Sequence, residues 1–272
     1  MATPRPMAVA TQLKRWANGA RGSVTIYRNW PAAVTDKWRL RGQVRLYRLR
    51  PSAGGVSLLA TTWADTRILN ELWLDDPYLQ RAPDPGTVGV VVDVGANRGY
   101  FAVQAALRFP GAKVIAFEPE PRNLGLLRAN VALNGVDVEV HPEALVPDDR
   151  TEVLLYEAIH PGFHTTLDPD TAEAAGMRPG RFTGGETAVP ARNMEQAMAE
   201  IIERHGRIDV LKIDTEGTEE PLLDALSDAT LAAVRFVAAE VLTDISPELR
   251  ARLKAAGFDV AVDPPYLELR RP

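Results

Sequence analysis

The sequence predicts an α/β protein. The expected fold is a seven-stranded doubly wound (Rossmann-like) sheet with a small strand-rich N-terminal subdomain. Three observations carry that expectation. Val88 to Val94 is an unbroken run of apolar, mostly β-branched residues around Asp93, the texture of a strand buried on both faces. Beyond it, strand-like and helix-like segments alternate, which implies a parallel sheet with helices on both sides. The last two strand-like runs, residues 258–262 and 266–270, are joined only by Asp263-Pro264-Pro265. A right-handed crossover needs roughly a dozen residues, so these two strands must be antiparallel.

The elements follow in order. Residues 1–20 have the pattern of an amphipathic helix ending near Asn18-Gly19. Segments 23–29, 42–49 and 55–62 read as short strands between Gly, Pro and Ser turns. Residues 64–74 read as a helix, with Ile68, Leu69, Leu72 and Trp73 on one side. Ala82-Pro83-Asp84-Pro85-Gly86 is the expected boundary between a lead-in subdomain, 1–86, and a larger domain, 87–272. In the larger domain, strands are expected at 88–94, 113–117, 136–141, 152–156, 208–213 and 234–241. Helices are expected at 100–109, 121–134, 194–205, 219–226 and 247–256. Pro121 suits a first helical turn, and Gly135 and Gly257 suit helix stops. Residues 157–188 are rich in Gly and Pro and read as a long loop with one helical turn.

Composition narrows the function classes. The 272 residues include no cysteine, which excludes disulfide scaffolds, cysteine nucleophiles and cysteine-ligated metal sites. No stretch reaches the roughly 18 apolar residues of a membrane span. The N-terminus lacks the apolar core of a secretory signal, so a cytoplasmic location is expected. Net charge is −5, but residues 1–50 carry eleven Lys/Arg against one acid, Asp36. Such asymmetry suits nucleic-acid contact or docking on an acidic body or second subunit. Around Val44, Leu46, Tyr47 and Leu49 the basic residues alternate with apolar ones, as in a strand with one wet face. The docking reading is therefore preferred, and no nucleic-acid partner is expected.

The sharpest local signal is Asp93-Val94-Gly95-Ala96-Asn97-Arg98-Gly99-Tyr100. Gly95 permits a tight turn off the strand, and Gly99 permits close approach at the following helix. A dinucleotide site wants G-x-G-x-x-G, and this spacing is Gly95-x-x-x-Gly99. Asp93 just before the first glycine would repel a pyrophosphate and suits a ligand with an ammonium group. Glu118, about 20 residues on at the end of the second strand, is placed like the acid that binds the two ribose hydroxyls of a nucleoside.

These motifs, with Phe117-Glu-Pro-Glu-Pro121 and Asp209-Val-Leu-Lys-Ile-Asp214-Thr-Glu-Gly217, resemble the FkbM family of S-adenosylmethionine (SAM) methyltransferases. The resemblance spans roughly residues 87–240. It implies a class I methyltransferase sheet closed by one antiparallel strand, and methyl transfer to hydroxyls of carbohydrates or glycosylated natural products. It also implies that Asp93, Gly95, Ala96, Asn97, Gly99 and Tyr100 surround the methionine end of SAM. Glu118 with Pro119 would bind the ribose, and Glu143 and Ala144 would lie against the adenine. The family often has Val and Ala where this chain has Thr215 and Thr218.

Candidates for the transfer step lie at strand ends, where open α/β sheets bind ligands. Asp214 and Glu240 end neighbouring strands. They suit either orientation and deprotonation of an acceptor hydroxyl or ligation of Mg²⁺, while an ion pair of Asp214 with Lys212 is the structural alternative. His164, in a loop expected over the site, is the preferred histidine base, ahead of His141 and His160. His205 reads as a helix C-terminal residue. The lead-in aromatics Trp16, Trp30, Trp38, Trp63, Trp73 and Tyr78 read chiefly as packing, with sugar stacking or a homodimer contact as the other uses. The expected partner is a small-molecule or oligosaccharide acceptor. A nicotinamide-dependent oxidoreductase and a non-catalytic SAM-binding regulator are the competing functions.

Overall fold

The computed structural model describes residues 24–33, 43–158, 164–174, 182–241, 244–263 and 265–271. The helix expected over residues 1–20 lies outside them, as do His160, Trp16 and Trp38. The chain divides into two compact units, Met1–Asp76 and Pro77–Pro272.

In the first unit, β1 (Arg45–Arg48) and β2 (Ser57–Ala60) form an antiparallel hairpin. The strand expected over 23–29 is instead a helical turn at 24–26, followed by one antiparallel bridge from Tyr27 to Leu49. Asn29 accounts for the early end of pairing. Its Nδ2 donates to the Leu46 carbonyl at 2.9 Å and its Oδ1 accepts from the Arg48 N–H at 3.0 Å. A side-chain amide thus takes the place of the next ladder rung. Helix α1 (Trp63–Asn70) starts where Asp65 Oδ2 accepts from the Thr61 and Thr62 N–H groups at 2.7 and 2.8 Å. It widens into a π-turn over Glu71–Asp75 and ends at Asp76 in the left-handed region.

The second unit holds the expected sheet. In chain order its strands are β3 (Val90–Val94), β4 (Lys113–Phe117), β5 (Val138–His141), β9 (Val210–Ile213), β10 (Phe236–Glu240), β11 (Asp259–Asp263) and β12 (Tyr266–Arg270). Their spatial order is β5-β4-β3-β9-β10-β12-β11. Strand β12 runs antiparallel to both neighbours and every other pairing is parallel. Every residue of β3 and of β9 is buried, as the continuous apolar runs required.

Helices α2 (Tyr100–Arg108), α3 (Pro121–Asn134), α5 (Met194–His205), α6 (Glu219–Asp224), α7 (Asp228–Ala232) and α8 (Pro247–Ala255) connect the strands. Their ends follow local chemistry. Pro121 opens α3 beside the Glu120 carboxylate, which accepts from the Asn123 N–H at 2.6 Å, and Gly135 closes it in the left-handed region. Asn193 and Ser246 cap α5 and α8 in the same way. Among the described residues, no helix is long and apolar enough to cross a membrane.

The largest departure from expectation is between residues 144 and 193. A second sheet of order β6-β8-β7 forms from β6 (Ala144–Val146), β7 (Glu152–Ala158) and β8 (Phe182–Asn193), with the short helix α4 (Pro169–Ala174) between β7 and β8. The segment expected to be loop thus contains most of a strand, which pairs with β7 from Glu152/Pro190 to Ala158/Phe182. Its burial is sparse, with only Val189 and Ala191 buried, so no apolar alternation marks it. Its Gly184-Gly185 and Pro190 read locally as breakers.

At the amino end of the main sheet, Asp209 is 1% exposed and ties three strands together. It accepts from the Gly89 and Val90 N–H groups at 2.7 and 3.1 Å and from Arg207 and Arg235 at 2.7 and 2.8 Å. Burial pushes its carboxyl up, but the bonds from Arg235, Gly89 and Val90 outweigh this and hold it below the ordinary value. Its contribution to stability is therefore present above the unfolded carboxyl pKa and fades as the pH falls through the lower folded value. Asp209→Ala is expected to destabilise the fold by about 2–3 kcal/mol, because it leaves the buried Val90 N–H and the part-buried Arg235 guanidinium without this acceptor. Urea unfolding would read this, and an unchanged midpoint would contradict it.

Candidate functional site

The site forms where β3, β4 and β9 end. Val94 and Ile213 are in register, so Gly95 and Asp214 leave the sheet side by side. They come so close that a Cβ on Gly95 would stand 1.9 Å from the Asp214 carbonyl oxygen, and Gly95 itself has φ +76°. No side chain fits there, and only glycine takes that backbone freely. Its N–H, with that of Ala96, turns back to the Phe117 carbonyl. Gly99 serves a different end from the expected ligand approach. A Cβ there would meet Leu127 Cγ at 2.9 Å, so this glycine lets α2 pack closely against α3.

The turn fixes Glu118. The Asn97 N–H donates to its Oε2 at 2.7 Å and the Glu120 N–H to its Oε1 at 2.8 Å. Asn97 holds a left-handed φ of 52° to do so. Burial still dominates and raises the Glu118 carboxyl to about 7, against these backbone donors.

Beneath the turn, Lys212 Nζ lies 3.1 Å from Asp93 and 3.4 Å from Asp214, and donates to the Gly95 carbonyl at 2.9 Å. The two carboxylates outweigh burial and lift its ammonium well above the ordinary lysine value. Asp93 is fully buried, below the cleft instead of on its wall.

The Tyr78 hydroxyl lies 3.3 Å from Asp214 Oδ2 and 3.1 Å from Glu240 Oε2, and so bridges two of the candidate acids. Its ring meets Phe101 and Tyr266 edge to face, with centroids 5.8 and 5.9 Å apart. The following loop is held by Glu219, whose carboxylate accepts from the Thr215 and Gly217 N–H groups at 2.7 and 3.0 Å.

One cleft gathers most of the expected residues. Gly95, Asn97, Glu118, Pro119, Glu143, Ala144, His164 and Asp214 line it, joined by Asn123, Thr215, Glu216 and Thr218. Asp93, Ala96, Gly99 and Tyr100 are buried, and the Tyr78 hydroxyl links Glu240 to Asp214 on the cleft wall. His141 stacks on Phe117 with centroids 4.8 Å apart and meets Glu139 at 2.8 Å. His164 Nδ1 accepts from the Ala158 N–H at 2.9 Å, so the neutral ring carries its proton on Nε2. In that tautomer His164 is a donor, which corrects its assignment as a base.

The expected Mg²⁺ site does not fit these residues. Tyr78 bridges Asp214 and Glu240, and the buried Lys212 ammonium already sits beside Asp214. Among the described residues no three His, Asp or Glu side chains form a ligand cluster. A nucleoside cofactor fits better: the cleft offers a fixed buried carboxylate at Glu118 and a turn whose side-chain space is filled by neighbouring backbone.

Residues 93–260 match the methyltransferase FkbM domain model. The 31-O-demethyl-FK506 methyltransferase FkbM of Streptomyces tacrolimicus is 30% identical over 218 residues, covering 72% of this chain and 82% of that one. Methyltransferase sdnD of Sordaria araneosa is 30% identical over 194 residues, covering 64% and 74%. A crystal structure of methyltransferase FkbM from Methylobacillus flagellatus KT aligns with TM-score 0.42 and 14% identity, covering 89% of this chain and 59% of that one. By the match of its strand-end motifs to the domain model, the chain belongs to the FkbM methyltransferase family.

Proposed function

We propose that the protein transfers a methyl group from SAM to a hydroxyl of a carbohydrate or glycosylated small molecule. The observation that carries this reading is the cleft built by Gly95 against Asp214, with Glu118 fixed across from it by the Asn97 N–H. When bound, SAM supplies an electrophilic methyl on a sulfonium. Glu118 would accept hydrogen bonds from the ribose hydroxyls, beside Pro119 and Glu143. Asp93, Lys212 and Asp214 place two carboxylates against one ammonium under the turn. That excess of negative charge favours a cationic ligand and disfavours a pyrophosphate.

At the acceptor end, Asp214 and Glu240 would orient the hydroxyl and take its proton, with Tyr78 setting their spacing. The assignment to oxygen is supported by these acids, and by the relative whose name places it on an oxygen of demethylated FK506.

Label transferred from methyl-tritiated SAM to a panel of mono- and oligosaccharides and glycosides tests the reaction. Asp214→Asn is expected to cut that turnover by about 10²–10⁴-fold, with the affinity for S-adenosylhomocysteine (SAH) measured alongside to separate binding from transfer. Wild-type turnover in this variant would remove Asp214 from the transfer step.

The raised Glu118 carboxyl makes cofactor binding pH-dependent. The ionised form is the stronger hydrogen-bond acceptor, and it is lost as the pH falls through about 7. SAH is therefore expected to bind about tenfold more weakly at pH 6 than at pH 8, one proton being linked to binding. Glu118→Gln should flatten that dependence. A flat wild-type profile by calorimetry would contradict the assignment.

A further inference from the structure

We propose that His164 is a binding residue for the nucleoside half of the cleft's ligand, donating a hydrogen bond from Nε2. This rests on the reading that the cleft takes SAM. With Nδ1 accepting from the Ala158 N–H at 2.9 Å, the ring has one free edge and it carries a proton. Among the described residues Nε2 meets no protein acceptor, and His164 lines the cleft with Glu118, Asn123 and Glu143.

The charged groups felt by the ring are Glu120, Glu157, Arg98 and Arg122. Glu120 and Arg122 follow β4, and Arg98 lies in the turn that anchors Glu118. Glu120, Arg122 and Arg98 stand on the Glu118 side of the cleft. Burial lowers the ring's pKa, so the imidazole is neutral at physiological pH and keeps this tautomer.

The loop that carries His164 is held in place. Tyr156 and Thr165 exchange backbone hydrogen bonds at 2.8 and 3.4 Å, and Thr165 Oγ1 donates to the Glu216 carbonyl at 2.7 Å. A fixed donor costs little ordering on binding. It also brings a donor to a side whose carboxylate can only accept. Glu118 offers acceptors only, and the N–H groups of Asn97 and Glu120 are already spent on it. A nucleoside presents acceptor oxygens and ring nitrogens as well as hydroxyl donors, so a neutral N–H completes the match.

Calorimetry with SAH and with adenosine, on wild type and three variants, tests this. His164→Ala should weaken both ligands by the same factor, about tenfold, because the lost contact belongs to the half they share. His164→Gln places an amide N–H where Nε2 lies and should stay within threefold of wild type. His164→Asn keeps an acceptor for the Ala158 N–H but brings no donor into the cleft, and should be as weak as His164→Ala. Rescue by Asn and not by Gln would make His164 a loop anchor and overturn the proposal, as would unchanged affinity in His164→Ala. If wild type binds SAH and His164→Ala binds it equally well, this inference fails and the SAM reading stands. If wild type binds neither ligand, the SAM reading fails and takes this inference with it.

Discussion

The site depends on one approach of backbone to backbone. Strands β3 and β9 run parallel and level, so the chain leaving one must pass the chain leaving the other. At Gly95 the gap is filled by the Asp214 carbonyl, and nothing larger than hydrogen is accommodated. That contact sets the position of Asp214, and the same turn presents the Asn97 N–H to Glu118. One steric constraint thereby positions groups for both ends of the proposed reaction.

The charges beneath this turn are coupled. Lys212 is buried, and an isolated buried ammonium would lose its proton. It keeps it because Asp93 and Asp214 stand on either side, and its third contact, to the Gly95 carbonyl, pins the turn from below. Asp93 thus acts at a distance from any ligand: it keeps Lys212 charged and so fixes Asp214. The same arrangement explains why a divalent cation is a poor fit, since an ammonium already occupies the space beside the carboxylate that would bind it.

The sheet and the turn were legible in the sequence because their signals are local. An apolar run, two glycines and an acid at a strand end lie within 31 residues, from Val88 to Glu118. The closing antiparallel strand was legible from loop length alone. What was not legible depends on distant contacts. Tyr78 is separated from Asp214 and Glu240 by 136 and 162 residues, and no local pattern announces that its hydroxyl will bridge them. The burial of Asp93 and the tautomer of His164 depend on partners that only the fold supplies. Strand β8 was hidden for another reason: it is mostly exposed and carries Gly184, Gly185 and Pro190, so its pairing with β7 left no apolar imprint.

The most direct test of the account is a single methyl group at Gly95. Titration of Gly95→Ala with SAH, with circular dichroism to confirm the sheet, asks whether the Gly95–Asp214 contact builds the cofactor cleft. A folded Gly95→Ala is expected to lose at least about tenfold in affinity, roughly 1.4 kcal/mol or more. A folded variant that binds SAH as tightly as wild type would contradict it.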